Sequence, residues 1–185
     1  PPRLMRLGLI VRAEADRGIG IQSYEMFRHL DPMKVLVIDV GRHESRPIYP
    51  ERYAPNAMVV QMADDGTLPE RKVRRWLSRL DVVAYVETPM DHRVCDWARD
   101  AGARTVCHQN PEFYRGHLQR LPHPDGLWVP TPWRLEVMPE GTRVVPVPVA
   151  LDRFPNSYQW RTQPKREPRF LHPVGRWAMY DRNGT

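Results

Sequence analysis

Residues 7–40 read LGLIVRAEADRGIGIQSYEMFRHLDPMKVLVIDV, and the fold turns on how this stretch divides. Leu7 to Val11 is a continuous apolar run, the pattern of a strand buried on both faces of a parallel sheet. A polar loop, residues 12–19, leads to Gly20, after which Ser23, Met26, Phe27 and Leu30 recur at helical spacing until Asp31-Pro32 stops the helix. Lys34 to Val40 is then a second buried strand. Strand, helix, strand within so short a span requires a crossover connection, so the two strands run parallel.

The same alternation continues outward. Residues 41–56 hold three prolines and alternating charge and read as an irregular excursion. Ala57–Gln61 is a third strand, and Pro69 opens a helix running to Leu80 with Val73, Trp76, Leu77 and Leu80 on one stripe. Val82–Val86 is a fourth strand; Asp91 caps a helix through Arg99 that Gly102 ends; Arg104–Cys107 is a fifth strand. Shorter elements follow: a strand at Gly126–Val129, a helix from Thr131 through Val137, and a strand at Arg143–Val145. The expectation is a doubly wound parallel α/β sheet with helices on both faces, whose right-handed crossovers bring every loop after a strand to one ligand-binding edge.

Composition narrows the function classes. Of 185 residues, 41% are hydrophobic and 27% charged, which excludes a disordered or fibrous chain. There is no run of about 18 apolar residues and no leader-like N-terminus, so the expectation is a cytoplasmic chain without a membrane span. Cys95 and Cys107, the only cysteines, form no CxxC pair and read as reduced and structural. Cys107 and His108 point to opposite strand faces, so no metal site is expected. The net charge of +6 is uneven: residues 161–185 carry six Arg and Lys against Glu167 and Asp181, which leaves only +2 on the first 160. That balance is not the charge pattern of a duplex-binding surface.

Four stretches carry candidate chemistry. Gly18 and Gly20, with Gln22 and Ser23 following, open the first helix, where glycines let a phosphate approach backbone N–H groups at a positive helix end. As a dinucleotide fingerprint this turn is incomplete, although Asp39 closes the second strand where a ribose-binding acid would sit, so a nicotinamide-dependent oxidoreductase competes. Against that reading, Arg12 to Arg17 separate the strand from Gly18, whereas a dinucleotide loop turns at once. Glu87, ending the fourth strand, either accepts hydrogen bonds from substrate hydroxyls or caps the next helix. His108, Gln109 and Asn110 end the fifth strand, three hydrogen-bonding side chains that must meet a ligand or each other. His108 is the candidate catalytic residue. Arg176 and Arg182, six apart after a stretch Phe170–Val174 that reads as a strand, can clamp a diphosphate between them, or belong to a solvated basic tail.

In order along the chain, Gly18 to Tyr24, His108, the stretch Val144-Val145-Pro146-Val147-Pro148-Val149 with Leu151-Asp152-Arg153-Phe154, and Phe170 to Arg176 followed by Asp181 to Thr185 resemble the retaining, family-four type of GT-B glycosyltransferases, in particular short phage-encoded versions. The resemblance implies a Rossmann-like acceptor-side domain over residues 1–154, a linker over 155–168 and, at 169–185, the start of a donor-binding domain. It implies hexose transfer from a UDP- or GDP-linked sugar to a hydroxyl of a protein, a glycan or modified DNA, with no separate cofactor. Arg176 and Arg182 would then contact the donor diphosphate, His108 would lie near the donor sugar, and Gly18, Gly20, Gln22, Glu87 and Asn110 would line the cleft. The family's glutamate pair has no counterpart before Thr185, so the chain alone is expected to be inactive. A non-catalytic, DNA-binding module is the reading from another class.

Overall fold

The computed structural model describes residues 4–14, 18–41, 47–87, 91–114 and 121–148. Strands β1 (Leu7–Val11), β2 (Lys34–Asp39), β3 (Ala57–Gln61), β4 (Val82–Val86), β5 (Arg104–His108), β6 (Gly126–Val129) and β7 (Arg143–Val144) are joined through helices α1 (Gly18–Leu30), α2 (Glu70–Leu77) and α3 (Arg93–Asp100). They form one seven-stranded sheet in the order β3-β2-β1-β4-β5-β6-β7. All six pairings are parallel, with β1 in the interior of the sheet, its Gly8 beside Lys34 on one side and Val83 on the other. Winding reverses between β1 and β4, the switch point at which the C-terminal strand ends open a crevice. This is the Rossmann-like α/β architecture expected from the alternation of elements.

Helices cover both faces because the strands are apolar at successive positions. In β2, Val35 and Val37 join Leu9, Val11, Met26 of α1 and Tyr53 in one core, while Leu36 and Ile38 join Val73, Trp76 and Leu77 of α2 and Val94 and Trp97 of α3 in the other. Successive residues of β1, β2 and β4 thus serve opposite cores, as the period of two demands. Gly8 faces the second core, and α2 presses so closely there that a Cβ built on it would lie 2.5 Å from Leu80 Cδ1 and 2.8 Å from Trp76 Cη2. Aspartates pin the opposite edge of the sheet. Asp81 accepts from the Arg6 backbone N–H at 2.8 Å and from its guanidinium at 2.7 Å; Asp125 accepts from the N–H and hydroxyl of Thr105 at 2.7 and 3.0 Å.

Some boundaries differ from the sequence reading. Helix α1 begins at Gly18 itself, and α2 ends at Leu77 because Arg79 turns left-handed, with φ +70. The helix expected from Thr131 is reduced to a 3-10 turn at Leu135–Val137. Pro132 disfavours a helical residue before it, and Arg134 stands at φ +57, so the α ladder cannot form. Strand β5 runs one residue further, to His108, which brings that side chain into register with Val86 and Trp128. Asp91 sits just before α3, where His92 takes the capping position; its carboxylate accepts from the Arg93 and Leu68 N–H groups at 3.1 and 3.0 Å. It therefore ties the loop before α2 to the start of α3. Burial pushes its carboxyl up, but these bonds and the Arg93 guanidinium outweigh burial and hold it below the usual range. Gly102 ends α3 at φ +78 as expected. The proposed linker and the donor-domain start, with Arg176 and Arg182, lie outside the described residues. Among the described residues no helix is long and apolar enough to cross a membrane.

Candidate functional site

The C-terminal ends of the central strands carry most of the chemistry-bearing side chains. His108 ends β5 at 1% exposure and is held from two directions. Gln22, one turn into α1 from Gly18, brings its Nε2 within 2.7 Å of His108 Nδ1, and His108 Nε2 lies 2.7 Å from the Val145 carbonyl oxygen. A carbonyl only accepts, so Nε2 carries the ring proton and Nδ1 receives the Gln22 amide N–H. The ring is neutral with both nitrogens engaged inside the chain. Burial pushes the imidazole below its usual 6.5, against an opposing pull from the Val145 carbonyl. Two residues singled out separately in sequence are thus one unit that fastens α1 to β5 and to the segment after β7.

Glu87 and Asn110 form a second unit beside it. Asn110 Nδ2 donates to Glu87 Oε1 at 3.1 Å, joining the ends of β4 and β5. The Glu87 backbone turns left-handed at φ +68 and is fixed there by its N–H donating to the His108 carbonyl at 2.9 Å and its own carbonyl accepting from the Cys107 thiol at 2.7 Å. Complete burial holds Cys107 well above its usual 9.0, so it remains a thiol donor. Left-handed backbone costs a side-chain-bearing residue about 1–2 kcal/mol, and such strain gathers where geometry serves a site. Glu87→Gly is therefore expected to unfold within about 1 kcal/mol of the parent in urea, because relief of strain offsets the lost Asn110 bond. Glu87→Val, branched at a left-handed position, is expected to lose about 2 kcal/mol. Equal losses for both would show that the backbone there is unstrained.

Gly18 and Gly20 fall in the first turn of α1, whose initial N–H groups have no helical acceptor. Gly18 is exposed, and a Cβ on it would meet nothing within 4 Å, so among the described residues its approach is open. One turn further, Gln22 anchors this helix start against His108. On the other side of the switch point, Gly41, Gln61, Met62, Asp64, Thr67 and Leu68 help to line a hollow of about 530 Å³ beyond the ends of β2 and β3. Asp39, the candidate ribose acid, is committed to the local turn: its Oδ1 accepts from the Gly41 N–H at 2.9 Å, with Gly41 at φ +61.

The sequence reading missed a buried ionic group in the loop after β1. Arg12 and Glu14 pair at 2.5 Å with side chains only 13% and 2% exposed, and Glu25 of α1 is buried as well. The loop is held against residues 48 and 49 by a Glu14–Ile48 bridge and by the Tyr49 N–H donating to the Ala13 carbonyl at 2.9 Å. Charged residues in a polar loop give no local signal of burial, which here accompanies the backbone pairing of this loop with residues 48 and 49. Among the described residues no three His, Cys, Asp or Glu side chains gather as a metal site.

No protein-family profile and no curated protein matches the chain in sequence. Among solved structures, the fold is similar to the crystal structure of Acinetobacter baumannii MurG, with a TM-score of 0.56 at 13% identity over 88% of this chain and 50% of that one. The chain thus spans about half the length of MurG. At that identity the likeness is one of fold.

Proposed function

We propose that the chain is the acceptor-side domain of a GT-B glycosyltransferase, moving a hexose from a UDP- or GDP-linked sugar to a hydroxyl acceptor. The observation that carries the reading is the switch-point edge itself. There the open glycine start of α1, the braced His108 and the Glu87–Asn110 pair meet on a sheet whose fold is similar to that of MurG. The six residues between Val11 and Gly18 favour an open cleft wall over a dinucleotide cradle, and one oxygen of Asp39 already serves its own turn.

In this reading the first-turn N–H groups of α1 face the donor phosphates, and the Glu87 carboxylate accepts from a sugar or acceptor hydroxyl. Arg176 and Arg182 neutralise the departing diphosphate, and a donor-binding domain beginning near residue 169 supplies the remaining contacts. Catalysis then rests on positioning and charge neutralisation. His108 is a positioning residue while both of its nitrogens are bonded; direct proton transfer would require one of those bonds to open. Retention at the anomeric carbon follows the family-four resemblance, and proton NMR of the first-formed product of the complete enzyme tests it.

Calorimetric titration with UDP, GDP and NADH tests the class. A nucleoside diphosphate is expected to bind weakly, in the millimolar range, and to be displaced by its own nucleotide sugar. Saturable NADH binding that neither diphosphate displaces would point instead to an oxidoreductase. Salt-steep binding of duplex DNA without any diphosphate binding would point to a DNA-binding module.

A further inference from the structure

On the far edge of the sheet, away from the switch point, β3 (AMVVQ) has β2 on one side and no strand among the described residues on the other. The strand bears no charge and no proline, the devices that commonly blunt a sheet edge, and Val59 is 43% exposed. Beside it lies a groove of about 500 Å³ lined by Met58 and Val59 and by Arg71, Lys72 and Arg75 of α2. The acids nearest to α2 are already engaged: Arg74 pairs with both Glu70, at 2.7 Å, and Asp100, at 3.0 Å. Arg71, Lys72 and Arg75 pair with no acid among the described residues. Among the described residues, three cations without an acid partner therefore border a strand edge with no further strand on it and an apolar floor, a local concentration hidden by the near-neutral charge of the first 160 residues.

We propose that this groove is a docking site for an extended, acidic segment of a protein partner, which adds a strand to the β3 edge and sets its carboxylates against Arg71, Lys72 and Arg75. Dimensions favour this occupant. Arg71 and Arg75 are four residues apart on a helix, about 6 Å along its axis, while alternate side chains of an extended strand repeat at about 6.8 Å on one face. Acids at every second position thus keep step with the cations, and the main chain pairs with β3. A second copy of this chain would bring the same cations face to face and is disfavoured by its own charge. A nucleic acid would use the cations but neither the unpaired strand edge nor the apolar floor.

Fluorescence anisotropy of the 185-residue chain with a labelled octapeptide of alternating Glu and Thr tests the proposal. Saturable binding is expected, absent for the Lys-Thr counterpart and about ten-fold weaker for the Arg71→Glu/Arg75→Glu double variant, whose substitutions sit on an exposed helix face. An acidic peptide methylated at alternate backbone nitrogens isolates the strand-pairing component, since its charge is unchanged, and should lose binding. No binding of the acidic peptide, equal binding of the methylated one, or tighter binding of a single-stranded oligonucleotide of equal charge would each overturn the proposal.

Discussion

Replacing His108 with alanine is expected to lower the free energy of unfolding by about 4 kcal/mol. The substitution leaves a cavity at a fully buried position and strips the Gln22 amide and the Val145 carbonyl of their partner at once. The orphaned Gln22 amide is buried and costs about 1–3 kcal/mol, the half-buried Val145 carbonyl costs less, and the cavity adds to both. His108→Phe separates the contributions, because it fills the space and still orphans both partners. His108→Gln can restore both bonds, its carbonyl accepting from Gln22 and its amide donating to Val145, and should lose only about 1–2 kcal/mol. Urea unfolding of the three variants checks the order, with glutamine best and alanine worst; losses below about 1 kcal/mol for both alanine and phenylalanine would dismiss the brace.

The same residue sets a pH dependence. Its folded imidazole titrates below the usual 6.5, so between those two values the unfolded chain binds a proton that the folded chain does not. Stability from this group is complete above pH 6.5 and falls as the pH drops below it, by up to about 1.4 kcal/mol per pH unit, until the folded imidazole itself is protonated. Asp91 and Asp125 are depressed carboxylates with an ordinary value of 3.8, so their losses begin only near that pH and stay clear of this window. His108→Gln should accordingly flatten the stability profile just below pH 6.5.

Gly8→Val is expected to be as damaging, by about 4 kcal/mol, for the opposite reason. Gly8 lies in a strand paired on both sides, and its missing side chain is the space into which Leu80 and Trp76 reach. The 2.5 Å and 2.8 Å approaches are far inside van der Waals contact. Leu80 can turn its terminal methyl aside; the Trp76 ring, 5% exposed against the second core, cannot do so without moving α2. Gly8→Ala should cost about 1–3 kcal/mol and Gly8→Val more, in keeping with overpacked cores. A change in the near-ultraviolet dichroism of the tryptophans should accompany the loss. A valine variant as stable as the parent would show that α2 shifts freely over β1.

The elements easiest to read from sequence were those with the simplest physics. The bounds of β1, β3, β4 and β6 coincide with the runs read for them, because a short apolar run closed off by polar or turn residues marks a strand whether it is fully buried, as β1, or partly exposed, as β3. Helix ends were harder, since Arg79 and Arg134 adopt left-handed backbone for which arginine carries no local signal. At the candidate site, the sequence placed His108, Glu87 and Asn110 at strand ends, and Gln22 in the first turns of α1, without indicating which would touch.

From the amino-acid order alone came the parallel sheet, its two buried faces and the edge at which polar side chains collect, all consequences of apolar run length and period. Only the tertiary structure decided that Gln22 reaches His108 across 86 positions, that Glu87 bonds Asn110, and that Arg12 and Glu14 are enclosed. Such pairings depend on how strands β1, β4 and β5 lie side by side and how loops fold back over their ends, distances set by packing that no local pattern encodes.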